Sequence, residues 1–207
     1  MLIYGAGGQA RVIIEILKSR KIRIEGLIDC NIHKHGQSIC GVPILGGDER
    51  LYGLLQQGIT DIIVAIGDNR LRQKKALELK KRGFIFGQAI HPSANIAKNA
   101  VIGKNVVIAI GAIVGANAVV GDHVIVNSGA IVEHDNKIGA AVHLSPGVTL
   151  GGTVVVGERT WIGIGSTVIN NLIIGQDSII AAGSVVIKPV PDKVMVAGVP
   201  AKVKKVL

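Results

Sequence analysis

From Ile90 to Val186 an aliphatic residue returns at every sixth position, at Ile90, Ile96, Ile102, Ile108, Val114, Val120, Val126, Val132, Ile138, Leu144, Leu150, Val156, Ile162, Val168, Ile174, Ile180 and Val186. No hexad is interrupted or lengthened. A period of six matches neither a helix nor one long strand, whereas a short strand followed by a turn repeats at this interval. Within each hexad the fifth residue is also apolar or small. It lies two places before the next aliphatic, so strand alternation turns both toward the same side. The position after the aliphatic is most often glycine, as at Gly103, Gly115, Gly121, Gly139, Gly151, Gly157, Gly163 and Gly175. We read this glycine as a corner that needs unusual backbone angles. Such a chain winds into a β-solenoid whose coils stack about 4.8 Å apart, each burying its apolar slots against the next.

Composition agrees with a narrow interior. The 207 residues are 48% hydrophobic but only 2% aromatic, so Ile, Val, Leu and Ala must fill the core. No apolar run approaches the roughly 20 residues needed to span a bilayer, and "MLIYGAGGQA" lacks the charged start of a secretory leader. A cytoplasmic protein with no membrane span is expected. Cys30 and Cys40 form no framework or metal motif and are read as free thiols. The net charge of +9 invites a nucleic-acid reading. Its basic residues, however, concentrate in "LRQKKALELKKR" and the tail "PAKVKK", and stacking aromatics are nearly absent, so no nucleic acid is expected as a partner.

The repeat breaks its own rule at "AIVEHDN". Glu133 takes a slot usually held by a small residue, Asn136 takes an inward slot, and His134 and Asp135 lie between them. Neutral imidazole is suited to removing a proton near neutral pH.

Residues 1–88 are organised differently. Strand "LIY", glycine turn "GAGGQA" and helix "RVIIEILKSR" are followed by a strand "IRIEGLID", a strand "ITDIIVAIG" and a helical "DNRLRQKKALELKKRG". Alternating strands and helices indicate a small parallel α/β unit. Gly5, Gly7 and Ala10 approximate the dinucleotide fingerprint, with Asp29 ending the second strand, so backbone N–H groups and a helix N-terminus face a phosphate site. These residues make only half of a full dinucleotide fold. A nucleotide diphosphate therefore suits the turn better than hydride transfer does.

"YGAGGQ", "LID", "AIGDNRLR", "HPSA", "VNSGAIVEHD" and "VAGVPAK" occur in this order along nearly the whole chain. Together they resemble a subgroup of the hexapeptide-repeat transferases containing the sialic acid O-acetyltransferases and the N-acetyltransferases of nucleotide amino sugars. The resemblance implies a Rossmann-like nucleotide-sugar-binding domain at 1–88. It implies a left-handed parallel β-helix at 89–207, with three hexads per triangular coil and a C-terminal tail. With three hexads to a coil, His134 stacks between Ala116 and Gly152, whose small size leaves a groove beside the imidazole. The resemblance also implies a homotrimer with active sites between subunits, acetyl-CoA as co-substrate, and direct acetyl transfer to the amine of a nucleotide-activated sugar.

Carried over residue by residue, the resemblance makes His134 the general base and Asp135 the acid that supports it. Acetyl-CoA contacts fall on His143, Gly152, Ile164 and Ala182. Sugar-nucleotide contacts fall on Gly7, Gly8, Gln9, Asp29, Cys30 and Gly67. Gln9 stands where some relatives have His, and Cys30 where some have a second acid. Sialic acid O-acetylation and a non-catalytic sugar-nucleotide sensor are the alternatives. Other uses of a solenoid fit less well. An ice-binding rod needs a regular flat face of repeated Thr, which the hexads lack. A zinc site on this fold uses a close histidine pair, which the widely spaced His123, His134 and His143 do not supply. No metal is expected.

Overall fold

The computed structural model describes residues 1–207. The chain divides into two compact units, Met1–Pro92 and Ser93–Leu207.

The first unit is a six-stranded sheet with helices. In chain order it comprises β1 (Leu2–Tyr4), α1 (Gly8–Ser19), β2 (Gly26–Ile28), β3 (Ser38–Ile39), β4 (Val42–Gly46), α2 (Arg50–Gln56), β5 (Asp61–Val64), α3 (Asn69–Lys81) and β6 (Ile85–Phe86). The sheet order is β3-β4-β2-β1-β5-β6, parallel except for the β3–β4 pair. Helix α1 forms because Ala10, Ile13, Ile14 and Leu17 recur on one face and are all buried. Asp68 caps α3, accepting from the Leu71 N–H at 2.8 Å. The expected second strand is shorter than its apolar run, since only Gly26–Ile28 pair. The β3–β4 hairpin, α2 and β6 are elements the sequence patterns do not announce.

Sixteen two-residue strands, from Asn95–Ile96 to Val185–Val186, build the second unit. They pair in parallel at an offset of three hexads, as in Ile113↔Ile131 and Val120↔Ile138. Three sheets result, giving a three-sided coil. The aliphatic slot points inward throughout, so Val114, Val126, Leu144, Ile162 and Ile180 are essentially inaccessible. Burying each such side chain contributes about 1.5–3 kcal/mol before entropy is counted. The expected C-terminal tail is partly structured: Val194–Ala197 and Lys202–Val206 form an antiparallel hairpin that continues one sheet.

The corner glycines work differently from the sequence reading. The left-handed residues lie at the fourth position of each hexad from Ile102 to Ile180, counting the aliphatic as first, as in Asn117 (φ 59°), Asp135 (φ 58°) and Gly147 (φ 68°). The second-position glycines have no such angle. They are needed because the next coil passes too close: a Cβ on Gly115 would lie 2.8 Å from the His134 nitrogen, and one on Gly139 2.8 Å from that of Glu158. Coil spacing, not backbone strain, selects glycine there.

Candidate active site

The corner at 133–136 carries the break in the repeat, and its geometry explains each departure. Asp135 adopts the left-handed conformation that Asp tolerates better than most residues. Its Oδ2 lies 2.8 Å from His134 Nδ1. An ionised carboxylate only accepts, so Nδ1 carries a proton, and in the neutral ring Nε2 then keeps its lone pair. Hydrogen bonds from His134 and then from Asn117 hold the Asp135 carboxyl below the usual carboxylate range. It therefore stays ionised through mild acidity. Both side chains are about half exposed, at 56% and 48%, so a ligand can reach them.

Gly152 provides the room. A Cβ there would stand 2.5 Å from both Cε1 and Nε2 of His134, so only glycine admits the imidazole in this position. The Gly152 carbonyl accepts from the Asn171 N–H, and the His134 carbonyl accepts from the Thr153 N–H at 2.9 Å. Asn136 is fully buried. Its Oδ1 accepts the Val154 N–H at 2.5 Å, while its Nδ2 has no partner. At corners such as 145–148 the turn N–H closes on its own turn, Val148 N–H on Ser145 O. Asn136 thus takes over the bond of the 151–154 turn against which His134 lies.

The candidate acetyl-CoA residues separate into groups. Gly152 shares the His134 corner. His143 lies on the sheet face beyond the following corner, stacked on Trp161 with centroids 6.2 Å apart, and its Nε2 is 3.3 Å from Asn127 Nδ2. Ile164 is exposed and Ala182 lies one coil beyond it, also exposed, on another corner. One chain brings Gly152 to His134 but leaves His143, and Ile164 with Ala182, on other parts of the coil. His123 is nearly buried, with Nδ1 3.1 Å from Asn105 Nδ2, and serves a different corner.

In the first unit, β1 lies between β2 and β5: the chain passes from β1 outward through β2 to β4, then crosses back to β5 on the other side of β1. The crevice beyond their C-terminal ends is where such sheets bind ligands. Gly7 and Gly8 border open space there, and Gly7 caps α1 with no side-chain hydrogen bond, leaving helix N–H groups for an anion. Asp29 Oδ2 accepts from Ala6 N–H at 2.7 Å, and Oδ1 from Asn31 N–H at 2.9 Å. Burial opposes its ionisation, but these bonds and Lys34 at 3.2 Å hold it below the ordinary range. Gly67 is fixed by the buried Arg72, which donates to its carbonyl at 2.9 Å and to that of Ile66 at 3.0 Å. Burial pushes Arg72 down to about 10.

The residues around Cys30 escaped sequence reasoning. The Cys30 Sγ lies 3.0 Å from Tyr4 Oη and 3.6 Å from Asp48 Oδ1, and Tyr4 donates to Asp48 at 2.5 Å. Lys75 binds the other Asp48 oxygen at 3.1 Å. Asp48 comes from the β4–α2 connection and Lys75 from α3, so no local pattern joins them to "LIDC". Cys30 and Cys40 are free and exposed. No helix is long and apolar enough to cross a membrane.

A carboxylate-braced imidazole on a hexad corner, joined in one chain to a nucleotide-type crevice, defines an acyltransferase of the hexapeptide-repeat class. Comparison narrows this. Residues 1–79 match the PglD N-terminal domain, and residues 153–188 match the bacterial transferase hexapeptide (six repeats). PerB from Caulobacter crescentus, solved with CoA and GDP-perosamine, is 42% identical, with a TM-score of 0.95 over 99% of this chain and 96% of its own. The acetyltransferase domain of PglB from Neisseria gonorrhoeae, solved also with acetyl coenzyme A, is 34% identical over 98% of each chain, with a TM-score of 0.92. UDP-N-acetylbacillosamine N-acetyltransferase from Bacillus subtilis is 42% identical over 111 residues, and that match spans 51% of this chain and 49% of its own length. The chain belongs to the hexapeptide-repeat sugar N-acetyltransferase family, and its solenoid is that family's left-handed β-helix.

Proposed function

We propose that this protein transfers acetyl from acetyl-CoA to the amine of a nucleotide-activated amino sugar, with His134 as general base. The observation that carries the reading is the His134–Asp135 pair, whose free Nε2 faces the cradle kept open by Gly152. The acceptor amine gives its proton to Nε2 as its nitrogen bonds to the thioester carbonyl carbon. Collapse of the tetrahedral adduct then breaks the carbon–sulfur bond, and the departing thiolate takes the proton from Nε2, which restores the neutral imidazole. The Gly152 N–H is the donor we assign to the developing oxyanion, a role that backbone amides fill in acyl transfer.

Gly7, Gly8, Gln9, Asp29, Cys30 and Gly67 hold the sugar nucleotide in this reading, which their place along one crevice supports. His143, Gly152, Ile164 and Ala182 hold the acetyl-CoA. Because they stand on different parts of the solenoid, a neighbouring copy must complete the site, and we propose a homotrimer. The outward column Val101, Val119, Lys137, Val155 and Ile173 is apolar except for Lys137, with Val101, Val119 and Ile173 exposed at 59%, 41% and 62%, and supports an interface on that face. Free, exposed cysteines suit a reducing cytoplasm. PerB and the bacillosamine enzyme support a nucleotide-linked amino sugar as acceptor.

Acetyl-CoA consumption should be measured with UDP-4-amino-4,6-dideoxy sugar, GDP-perosamine and sialic acid acceptors. Turnover with one nucleotide amino sugar supports the reading. Turnover with sialic acid alone assigns O-acetylation instead, and binding without turnover assigns a sensor.

A further inference from the structure

Asn99, Asn117 and Asp135 occupy the same corner of the solenoid in three successive coils and are joined by side-chain hydrogen bonds. Asn99 Nδ2 donates to Asn117 Oδ1 at 2.6 Å, and Asn99 Oδ1 accepts the Asn117 backbone N–H at 3.2 Å. Asn117 Nδ2 then donates to Asp135 Oδ1 at 3.0 Å, and Asp135 Oδ2 accepts from His134 Nδ1. The chemistry admits one orientation of each amide. A carboxylate accepts only, so Asn117 must turn its NH₂ toward Asp135 and its oxygen toward Asn99. The Asn99 oxygen is in turn fixed by the Asn117 backbone N–H. Every polar atom in the chain of contacts is oriented from Asn99 to the imidazole.

We infer that Asn117 is a positioning residue for acetyl transfer, aiming the Asp135 carboxylate so that His134 keeps its proton on Nδ1 and its lone pair on Nε2. This rests on the reading that His134 is the base. Corner geometry alone does not call for such a ladder. A second corner carries glycine at the same position in successive coils, at Gly111, Gly129, Gly147, Gly165 and Gly183. The ladder residues are exposed, where a hydrogen bond between side chains adds little to stability. The relay also ends at the two residues of the proposed proton transfer. Above Asp135 the column continues with Thr153, whose N–H goes to the His134 carbonyl instead.

Asn117→Ala and Asn117→Gly both remove the amide, while Gly also relieves the left-handed backbone. Each should lower kcat about tenfold, the change expected from one lost hydrogen bond to a charged group, with KM for both substrates within about twofold. In an Asp135→Asn background the same replacements should cost nothing further, because Asn117 acts through Asp135. A merely structural role would give additive losses, and additivity overturns the proposal. So does full activity of Asn117→Gly in an assay where His134→Ala is inactive, and that result leaves the base assignment standing. Activity of His134→Ala overturns the base assignment and the proposal together.

Discussion

Replacing Gly152 with Ala tests the placement of the imidazole more sharply than removing it. The new Cβ would stand 2.5 Å from His134 Cε1 and Nε2 and 3.2 Å from Cδ2. Carbon contacts settle at about 3.5–4.0 Å, so the ring must retreat by roughly 1 Å. The His134 side chain is 56% exposed and can swing outward without disturbing the core. An off-rotamer ring costs about 0.5–1.5 kcal/mol, or roughly 1–6 °C in Tm for a chain of this size. The rate should suffer more. A misplacement of about 1 Å costs on the order of 100-fold, equivalent to about 2.7 kcal/mol in the barrier.

Gly139→Ala is the matched control, since its Cβ would meet backbone at 2.8 Å and 2.9 Å and nothing flexible. It should lose about 1–3 kcal/mol of stability through overpacking, with less effect on kcat. Steady-state kinetics at saturating acetyl-CoA, acetyl-CoA affinity by calorimetry and thermal melting separate the outcomes. Gly152→Ala with normal kcat would show that catalysis does not depend on the imidazole standing against Gly152. A loss confined to acetyl-CoA affinity would make Gly152 a binding contact only.

Asn136→Thr should stabilise the protein while slowing it. At the equivalent inward slot Thr160 accepts the next coil's Ser178 N–H and donates to Gly175 O, so its hydroxyl is fully used. Relief of the unpartnered Nδ2 is worth about 1–3 kcal/mol, and an unchanged or lower Tm would contradict this. Acid should unfold the first unit through Asp29 and Asp48. Both carboxyls lie below the ordinary 3.8, because their hydrogen bonds overcome burial. A depressed folded value stabilises above the unfolded value and is lost as pH falls through the folded one. Tm should therefore hold to about pH 5 and drop below about pH 4, and a flat profile between those values and about pH 3 would rule out this contribution.

The solenoid is legible because six-residue periodicity survives any substitution among aliphatics, and the three-hexad coil then fixes which residues stack. That offset alone places Gly152 beside His134. The reason for the second-position glycines is not legible. In sequence, a glycine needed for an angle and a glycine needed for clearance look alike, and here Asn117, Asp135 and Arg159 take the unusual angles. Asn117 and Asn99 pass as ordinary corner residues, although stepping back coil by coil from Asp135 finds both. Asp48 and Lys75 are invisible for a different reason. They reach Tyr4 and Cys30 through tertiary folding, from distant parts of the chain that no period connects.

Whether His134 takes the acceptor's proton is tested most directly by removing its imidazole. His134→Ala should lower kcat for acetyl transfer by about 10²–10⁴-fold, with acetyl-CoA affinity within about twofold and an unchanged melting curve. Wild-type turnover in that variant, at matched saturation of both substrates, would contradict the mechanism.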